Sequence, residues 1–513
     1  MIRSLLSVSG FTLASRILGF VRDILIAKYI GVGTSLADVW VAAFRFPNLF
    51  RRIFGEGAFN AAFVPMYSRR LEEGGEAVAD AFARRTLSLM LVILLAIFAL
   101  AFIFMEPIVS LTNIGFAERG LIGPAVDASR ITVVYLVFIC LVAGFTGILN
   151  SRKVFAAPAF AYVVMNLVFL AALFFVMPKT ESPVEVLCWS VVVSGVLQLA
   201  VVVVAAWRRG VNLRPRLPKI DDDMKRLGSL MGPGLISAGV QQVNLIVGQT
   251  VASIQEGGVS LIFFADRINQ LPLGLIGIAA GTVLLPEITR RIRGGDEVGA
   301  RRSMAEGLEL ALLLCLPATV AMLAIPREIM FALFEGRSTS AENTFAAGWI
   351  LGAFALGTPA YVLARVLQPG YFAREDTKTP MRFTMISAGV NIVLCYPFFL
   401  WLGALGCALA TSVAGWVTFL LLWSGLKRDG FLSLEPTFWG RVSRILIAAI
   451  IMGAAVAGLA WWGKDWLLIP DAFWRRIPAI LILVAAGMVV YAASIFGLRV
   501  YSPRQLRSKL RRG

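Results

Sequence analysis

Arginine is the side chain whose placement in this sequence asks for chemistry. Arg16, Arg22, Arg45, Arg51, Arg52, Arg130, Arg267 and Arg365 all lie inside strongly apolar stretches. An Arg near the centre of a bilayer costs about 2.5–3.5 kcal/mol on insertion scales, so burial there requires a partner or a wet cavity. Arg130 and Arg365 fit snorkelling from a helix end. Arg16, Arg22 and Arg267 fit it poorly, because each sits well inside its apolar run. Residues seven apart share a helix face. Arg16 and Asp23 are so related, as are Ser15 and Arg22. Asp38, Arg45 and Arg52 form a stripe, with Glu56 following Arg52 at i+4. A third group joins Asp266 and Arg267 to Asn269, Gln270 and Pro272. The acids in these stretches are few (Asp23, Asp38, Glu56 and Asp266), so the balance is positive. A guanidinium grips phosphate oxygens with a two-pronged fork and stays charged at physiological pH. The pattern predicts a water-accessible cationic chamber for an anionic, phosphate-bearing substrate. A static set of Arg–acid pairs that locks helices together is the alternative.

Other chemistries are poorly represented. The chain has no histidine, which removes imidazole acid–base catalysis, metal ligation and pH sensing together. Its five cysteines (Cys140, Cys188, Cys315, Cys395 and Cys407) are far apart in apolar runs without CxxC spacing, and read as small buried hydrophobes. There is no Walker loop, HExxH, GxSxG or paired-carboxylate motif. The expectation is a protein that is not an enzyme and that needs neither cofactor nor metal.

The elements that must position the arginines follow from composition. The chain has 513 residues, 58% hydrophobic and 15% charged, with mean hydropathy +0.80. Soluble domains carry roughly 25% charged residues, so a soluble enzyme is excluded and an all-α polytopic membrane protein expected. Runs of about 20 apolar residues place fourteen spans near 5–30, 36–66, 86–111, 128–149, 156–177, 184–207, 227–253, 258–288, 305–325, 343–368, 381–401, 404–426, 441–462 and 475–498. The interrupted first run, without a cleavage site after it, is read as a span and not a signal peptide. Pro47 and the glycines Gly55 and Gly57 predict a kinked or unwound stretch in the second. Of 48 Lys and Arg against 31 Asp and Glu, most fall in the N-terminus, the even-numbered connections and the tail. That bias places both termini in the cytoplasm and explains most of the +17 charge without nucleic acid.

A weak repeat relates the two halves. At an offset of 222, Gly10 matches Gly232, Ser15 matches Ser237, Val21 matches Val243 and Arg45 matches Arg267; after a one-residue slip, Arg69-Arg70 matches Arg290-Arg291. Two six-helix lobes of the same orientation, with a binding site between them, are a transporter arrangement. The expected organisation is lobe 1–210, cytoplasmic linker 211–226, lobe 227–428, and 429–513 as two further helices with a basic tail suited to anionic headgroups.

The segments SRILGFVRD (15–23), FPNLFRRIFGEGAFNAAFVP (46–65), FFADRINQLPLGLIGIAAGTVLLP (263–286) and LQPGYFAREDTKTP (367–380) resemble the signatures of the MurJ (MviN) lipid II flippases. These belong to a superfamily with multidrug (MATE) and polysaccharide-lipid exporters, and the resemblance covers essentially the whole chain. It implies a MATE-like fold in the bacterial inner membrane. It also implies transfer of the undecaprenyl-diphosphate-linked peptidoglycan precursor to the periplasmic leaflet by alternating access, with the last two helices forming an apolar groove to a cationic cavity. By motif it carries function to Ser15, Arg16, Arg22, Asp23, Asp38, Arg51, Glu56, Ser260, Asp266 and Arg267. Helical phase favours Arg52 where the motif favours Arg51, and the kink at Pro47 places Arg51 first. Some relatives use second-lobe acids for Na+. Here the only acid expected deep in that lobe is Asp266, so membrane potential is at least as good a driving force. The implied partners are the lipid-linked precursor and membrane lipids, with cell-wall synthesis or division proteins as candidates. The competing readings are a flippase for another polyprenyl-diphosphate oligosaccharide, a MATE-type antiporter, which would need an acidic cavity, and a non-transporting scaffold.

Overall fold

The computed structural model describes residues 2–52, 58–211, 220–432, 434–469 and 472–500. The described residues are almost entirely helix and turn, with one isolated bridge pairing Gly336 with Thr339. The chain divides into two compact units, Met1–Val259 and Ser260–Gly513.

The first unit contains α1 (Ile2–Ile30), α2 (Ser35–Phe50), α3 (Ala58–Ile103), α4 (Met105–Thr112), α5 (Ile122–Thr132), α6 (Tyr135–Ser151), α7 (Ala156–Ala171), α8 (Pro183–Trp207) and α9 (Asp222–Ala252). Packing runs α1 on α7, α3 on α6 and α9, and α8 on both α6 and α7. Small residues allow the close approaches that membrane helices need. A Cβ on Gly144 would lie 2.5 Å from Leu87, and one on Gly147 would lie 2.9 Å from Phe63. Phe63 in turn stacks on Phe59, Tyr67 and Phe82, with centroids 5.1, 5.7 and 5.6 Å apart.

The second unit contains α10 (Gly258–Ala279, opening at the boundary), α11 (Leu285–Arg293), α12 (Glu297–Ala324), α13 (Pro326–Phe334), α14 (Ala341–Phe372), α15 (Lys378–Leu402), α16 (Ala404–Arg428), α17 (Pro436–Trp462), α18 (Lys464–Leu467) and α19 (Phe473–Gly497). Its core joins Met304, Leu308 and Cys315 of α12 to Leu367 and Tyr371 of α14, Leu426 of α16 and Ile445 of α17. The last long helices, α17 and α19, pack on each other, α17 also on α12 and α19 on α13.

Among the described residues, ten helical stretches are long and apolar enough to cross a membrane. The other four expected spans fall on α1, α2, α9 and α10, the helices that carry the polar residues singled out by sequence. Of the second expected span, 36–66, residues 53–57 lie outside the described residues. α2 ends at Phe50 and the next described helix begins at Ala58, so 58–66 belong to α3. Glu56, Gly55 and Gly57 lie outside the described residues.

α9, which the repeat would place at the start of the second lobe, groups by packing with the first unit. Gly75, at φ 71°, kinks α3 after Arg69-Arg70, and Gly295, at φ 76°, lies between α11 and α12 after Arg290-Arg291. Both glycines occupy the left-handed region that other residues resist.

Candidate functional site

Three polar centres, each inside one unit, hold the residues selected by sequence. The first joins α1 to α7. Arg22 is 9% exposed and uses its whole guanidinium. Its Nε and Nη2 donate to Asp23 Oδ1 at 3.0 and 2.8 Å, and its Nη1 donates to Asn166 Oδ1 at 3.1 Å. The Arg22 guanidinium carbon lies 5.2 Å from the centre of the Phe169 ring. Asn166 donates onward to the Ser15 carbonyl and hydroxyl at 2.9 and 3.2 Å. Ser15 Oγ donates to the Tyr162 carbonyl. The shared face of Ser15 and Arg22 is thus real, and Asn166 is where they meet. Asp23 pairs with its neighbour Arg22, and Arg16, seven residues before Asp23, is exposed. Sequence reasoning passed over Asn166, although a lone amide in the run VVMNLVF needs a buried partner.

The second centre is built on Asp38, in the first turn of α2, which Thr34 caps by accepting from the Ala37 amide at 3.2 Å. Asp38 is fully buried. Its Oδ2 accepts from Arg119 Nη1 and from the Gly257 amide, both at 3.0 Å. Arg119 also donates to the Ser253 and Gly115 carbonyls, and Ser253 Oγ accepts from the Gly115 amide at 3.1 Å. One carboxylate therefore ties together the connections before α2, after α4 and after α9. This corrects the stripe reading, in which Asp38 shared a cavity face with Arg45 and Arg52. Asp38 is walled in, while Arg45, Arg51 and Arg52 are half-buried. Arg45 Nη1 donates to the Leu245 carbonyl of α9 at 3.2 Å, and Arg51 Nε to Asn48 Oδ1 at 2.8 Å. Arg119 was missed because a basic residue in a short connection carries no signal of its own. The only hint was that a buried Asp38 must find a counter-ion.

The third centre lies on α10. Ser260 is fully buried. Asp266 and Arg267 are half-buried; Asp266 accepts from Gln270, and Arg267 lies over the Phe263 ring at 4.6 Å. Asn269 accepts from Thr358 of α14. Of the two arginines read as snorkelling, Arg365 is exposed and donates to the Leu273 carbonyl at 3.2 Å, and Arg130 lies over Phe102 at 5.5 Å.

The second unit holds two charged pairs that the sequence reading did not single out. Glu309 of α12 is 3% exposed and accepts from Arg441 of α17 at 3.1 Å. The expectation that Asp266 is the only enclosed acid there is therefore corrected. Arg476 of α19, fully buried, pairs with Glu335 and donates to the Phe331 and Glu335 carbonyls at 3.2 and 3.0 Å. Among the described residues no group of three acids or cysteines has the geometry of a metal site.

The family described as Lipid II flippase MurJ matches residues 26–470. The chain belongs to the lipid II flippase MurJ family. A probable lipid II flippase MurJ of Rhizobium tropici is 38% identical over 517 residues, covering 100% of this chain and 97% of the relative. The lipid II flippase MurJ of Burkholderia cenocepacia is 32% identical, covering 97% and 96%. A solved lipid II flippase MurJ in an inward closed conformation superposes with TM-score 0.77 at 26% identity, covering 96% of this chain and 98% of that one. An inward-facing MATE multidrug transporter superposes with TM-score 0.64 at 16% identity, covering 81% and 95%, which shows the shared fold. The segment SRILGFVRD supplies Ser15, Arg22 and Asp23 to the first centre, and the ADR segment supplies Asp266 and Arg267 to the third.

Proposed function

We propose that this multi-pass membrane protein flips lipid II, the peptidoglycan precursor carried on undecaprenyl diphosphate, from the cytoplasmic to the periplasmic leaflet for cell-wall synthesis. The observation that carries the mechanism is the set of arginines held within otherwise apolar helices. In this reading Arg16, Arg22 and Arg51 of the first unit and Arg267 of the second engage the diphosphate during an alternating-access cycle, with Arg52 second to Arg51. Ser15 and Ser260 offer hydroxyls to the same headgroup. Asp23, Asp38, Glu56, Asp266 and Arg45 set the charge balance and the conformational coupling. The chemistry is non-covalent, so the protein is not an enzyme. The lobes are 1–210 and 227–428, joined by 211–226, with 429–513 appended. The membrane is the bacterial inner membrane, with both termini cytoplasmic.

Arg22 makes the physical requirement concrete. With its guanidinium given to Asp23 and Asn166, it reaches a phosphate only if that set is exchanged, and a dianionic diphosphate offers the stronger charge-assisted partner. The test is depletion of the native protein with complementation by Arg22→Ala or Arg267→Ala while precursor is tracked by leaflet. The expected result is precursor retained in the cytoplasmic leaflet. Normal flipping by a stably expressed Arg267→Ala protein overturns the cationic mechanism.

A further inference from the structure

The first unit carries an apolar trough of about 730 Å³ on α1, α7 and α8, within the roughly 300–1,000 Å³ range of ligand pockets. Phe11 of α1 and Phe160 of α7 line it and meet edge to face, with ring centroids 5.6 Å apart. Ala157, Ala200 and Ala205 contribute small side chains that leave its volume open. The lining changes character at one end only. Where α8 finishes, Arg208 and Arg209 complete it, and both are exposed. The turn between α6 and α7 comes to the same end, because Arg152 Nη1 donates to the Arg209 carbonyl at 3.0 Å. Lys153, in that turn beside the lining residue Val154, is exposed and adds a third cation.

Length says what fits. From Leu197 to Arg208, α8 rises about 17 Å at 1.5 Å per residue. Half of a hydrocarbon core roughly 30 Å thick is about 15 Å. The trough is therefore one leaflet deep, apolar along its length and cationic at the headgroup level. Basic pockets between membrane helices are suited to anionic lipid headgroups, and the concave apolar wall adds a seat for a chain. We infer that the trough holds one anionic phospholipid of the leaflet at the α8 C-terminal end, with an acyl chain along α8 and its phosphate on Arg208 and Arg209. A polyprenyl chain is far longer than one leaflet, and the wall offers no polar group for a sugar, so the bulk phospholipid is the better fit. The inference stands apart from what the chain transports.

The test uses the purified full chain, with native mass spectrometry after addition of phosphatidylglycerol or phosphatidylcholine. The expected result is one retained phosphatidylglycerol, favoured over phosphatidylcholine by about tenfold. The double variant Arg208→Ala/Arg209→Ala loses that preference, Arg208→Lys/Arg209→Lys keeps it, and Ala200→Trp loses the lipid by filling the trough. Tm measured in phosphatidylcholine establishes that each variant is folded. Equal retention of both lipids by the wild type, or undiminished preference in the Ala variant, overturns the inference. Stoichiometric displacement of phosphatidylglycerol by undecaprenyl phosphate overturns it too, by assigning the trough to a polyprenyl chain.

Discussion

At Arg22, three hydrogen bonds and an aromatic face hold one guanidinium, and each contact tests a different property. Arg22→Ala removes the guanidinium that pairs with buried Asp23, a loss of about 3–5 kcal/mol. Arg22→Lys keeps the charge but cannot bridge Asp23 and Asn166 with a planar fork. If charge alone matters, Arg22→Lys flips precursor normally; if the fork matters, it fails as Arg22→Ala does. The expectation is failure, read as precursor trapped in the cytoplasmic leaflet. Asn166→Leu removes the link between Arg22 and Ser15 and is expected to cost about 1–3 kcal/mol, measured as a lowered Tm, with flipping reduced. A variant as stable and active as the wild type would show that the Ser15–Asn166–Arg22 chain is incidental. This chain also marks how far the residues could be read. Helical spacing put Ser15 and Arg22 on one face because both lie in one unbroken helix. The partner of Asp38 could not be read in this way, because a counter-ion from another segment, such as Arg119, leaves no periodic trace.

Helix ends decide the element scale. Asp221 caps α9 by accepting from the Met224 amide at 3.0 Å, and it pairs with Arg85 of α3. Asp223 pairs with Arg70, which lies over Phe82 at 4.5 Å. Partial burial pushes the Asp221 carboxyl up, but the Met224 amide and the Arg85 guanidinium outweigh it and hold the pKa below the usual carboxylate value. A depressed carboxyl pKa adds stability above the unfolded value of about 3.9, and that stability is lost as pH falls through the folded pKa. Amide exchange in the first turn of α9, corrected for intrinsic rates, is therefore expected to rise below about pH 4. Asp221→Asn should raise it already at neutral pH and flatten the dependence; an identical pH profile in the variant would remove Asp221 from the account. At the other end of α9, Gly257 has φ 69°, and a Cβ there would sit 2.3 Å from the Gly33 carbonyl oxygen. Gly257→Ala should cost at least about 1–3 kcal/mol of backbone strain, seen as a lower Tm. The positions of α1, α6–α8, α12, α14–α17 and α19 were legible as apolar runs, whereas the short α13 and α18 were not. Pro47 sits inside α2 without ending it, so a breaker residue in the sequence did not by itself mark a helix end.

Across the whole molecule, charge asymmetry along the chain makes the sharpest prediction. The five cysteines are free and buried, so an introduced thiol reports its own position. The proposed topology, with both termini cytoplasmic, predicts that Lys153→Cys reacts with an impermeant maleimide only from the cytoplasmic side, and Lys179→Cys only from the periplasmic side. The opposite pattern would invert the topology. Exposed tryptophans support a membrane boundary at the α17–α19 turn, where Trp461, Trp462, Trp466 and Trp474 are all largely exposed; such rings favour the bilayer interface.

α9 is fastened near both ends to its own unit. Asp221 and Asp223 fix the start on α3. At the finish, Gln249 donates to Asn113 at 2.7 Å, Thr250 to the Thr112 carbonyl at 3.0 Å, and Ser253 accepts from Gly115. Between them, Gly232 and Gly239 have nothing within 4 Å of where a Cβ would stand. Mechanically this is a beam clamped at its two supports. Load applied to it bows the centre and leaves the supports in place. Cutting either clamp turns the beam into a cantilever, whose free tip travels much further for the same force.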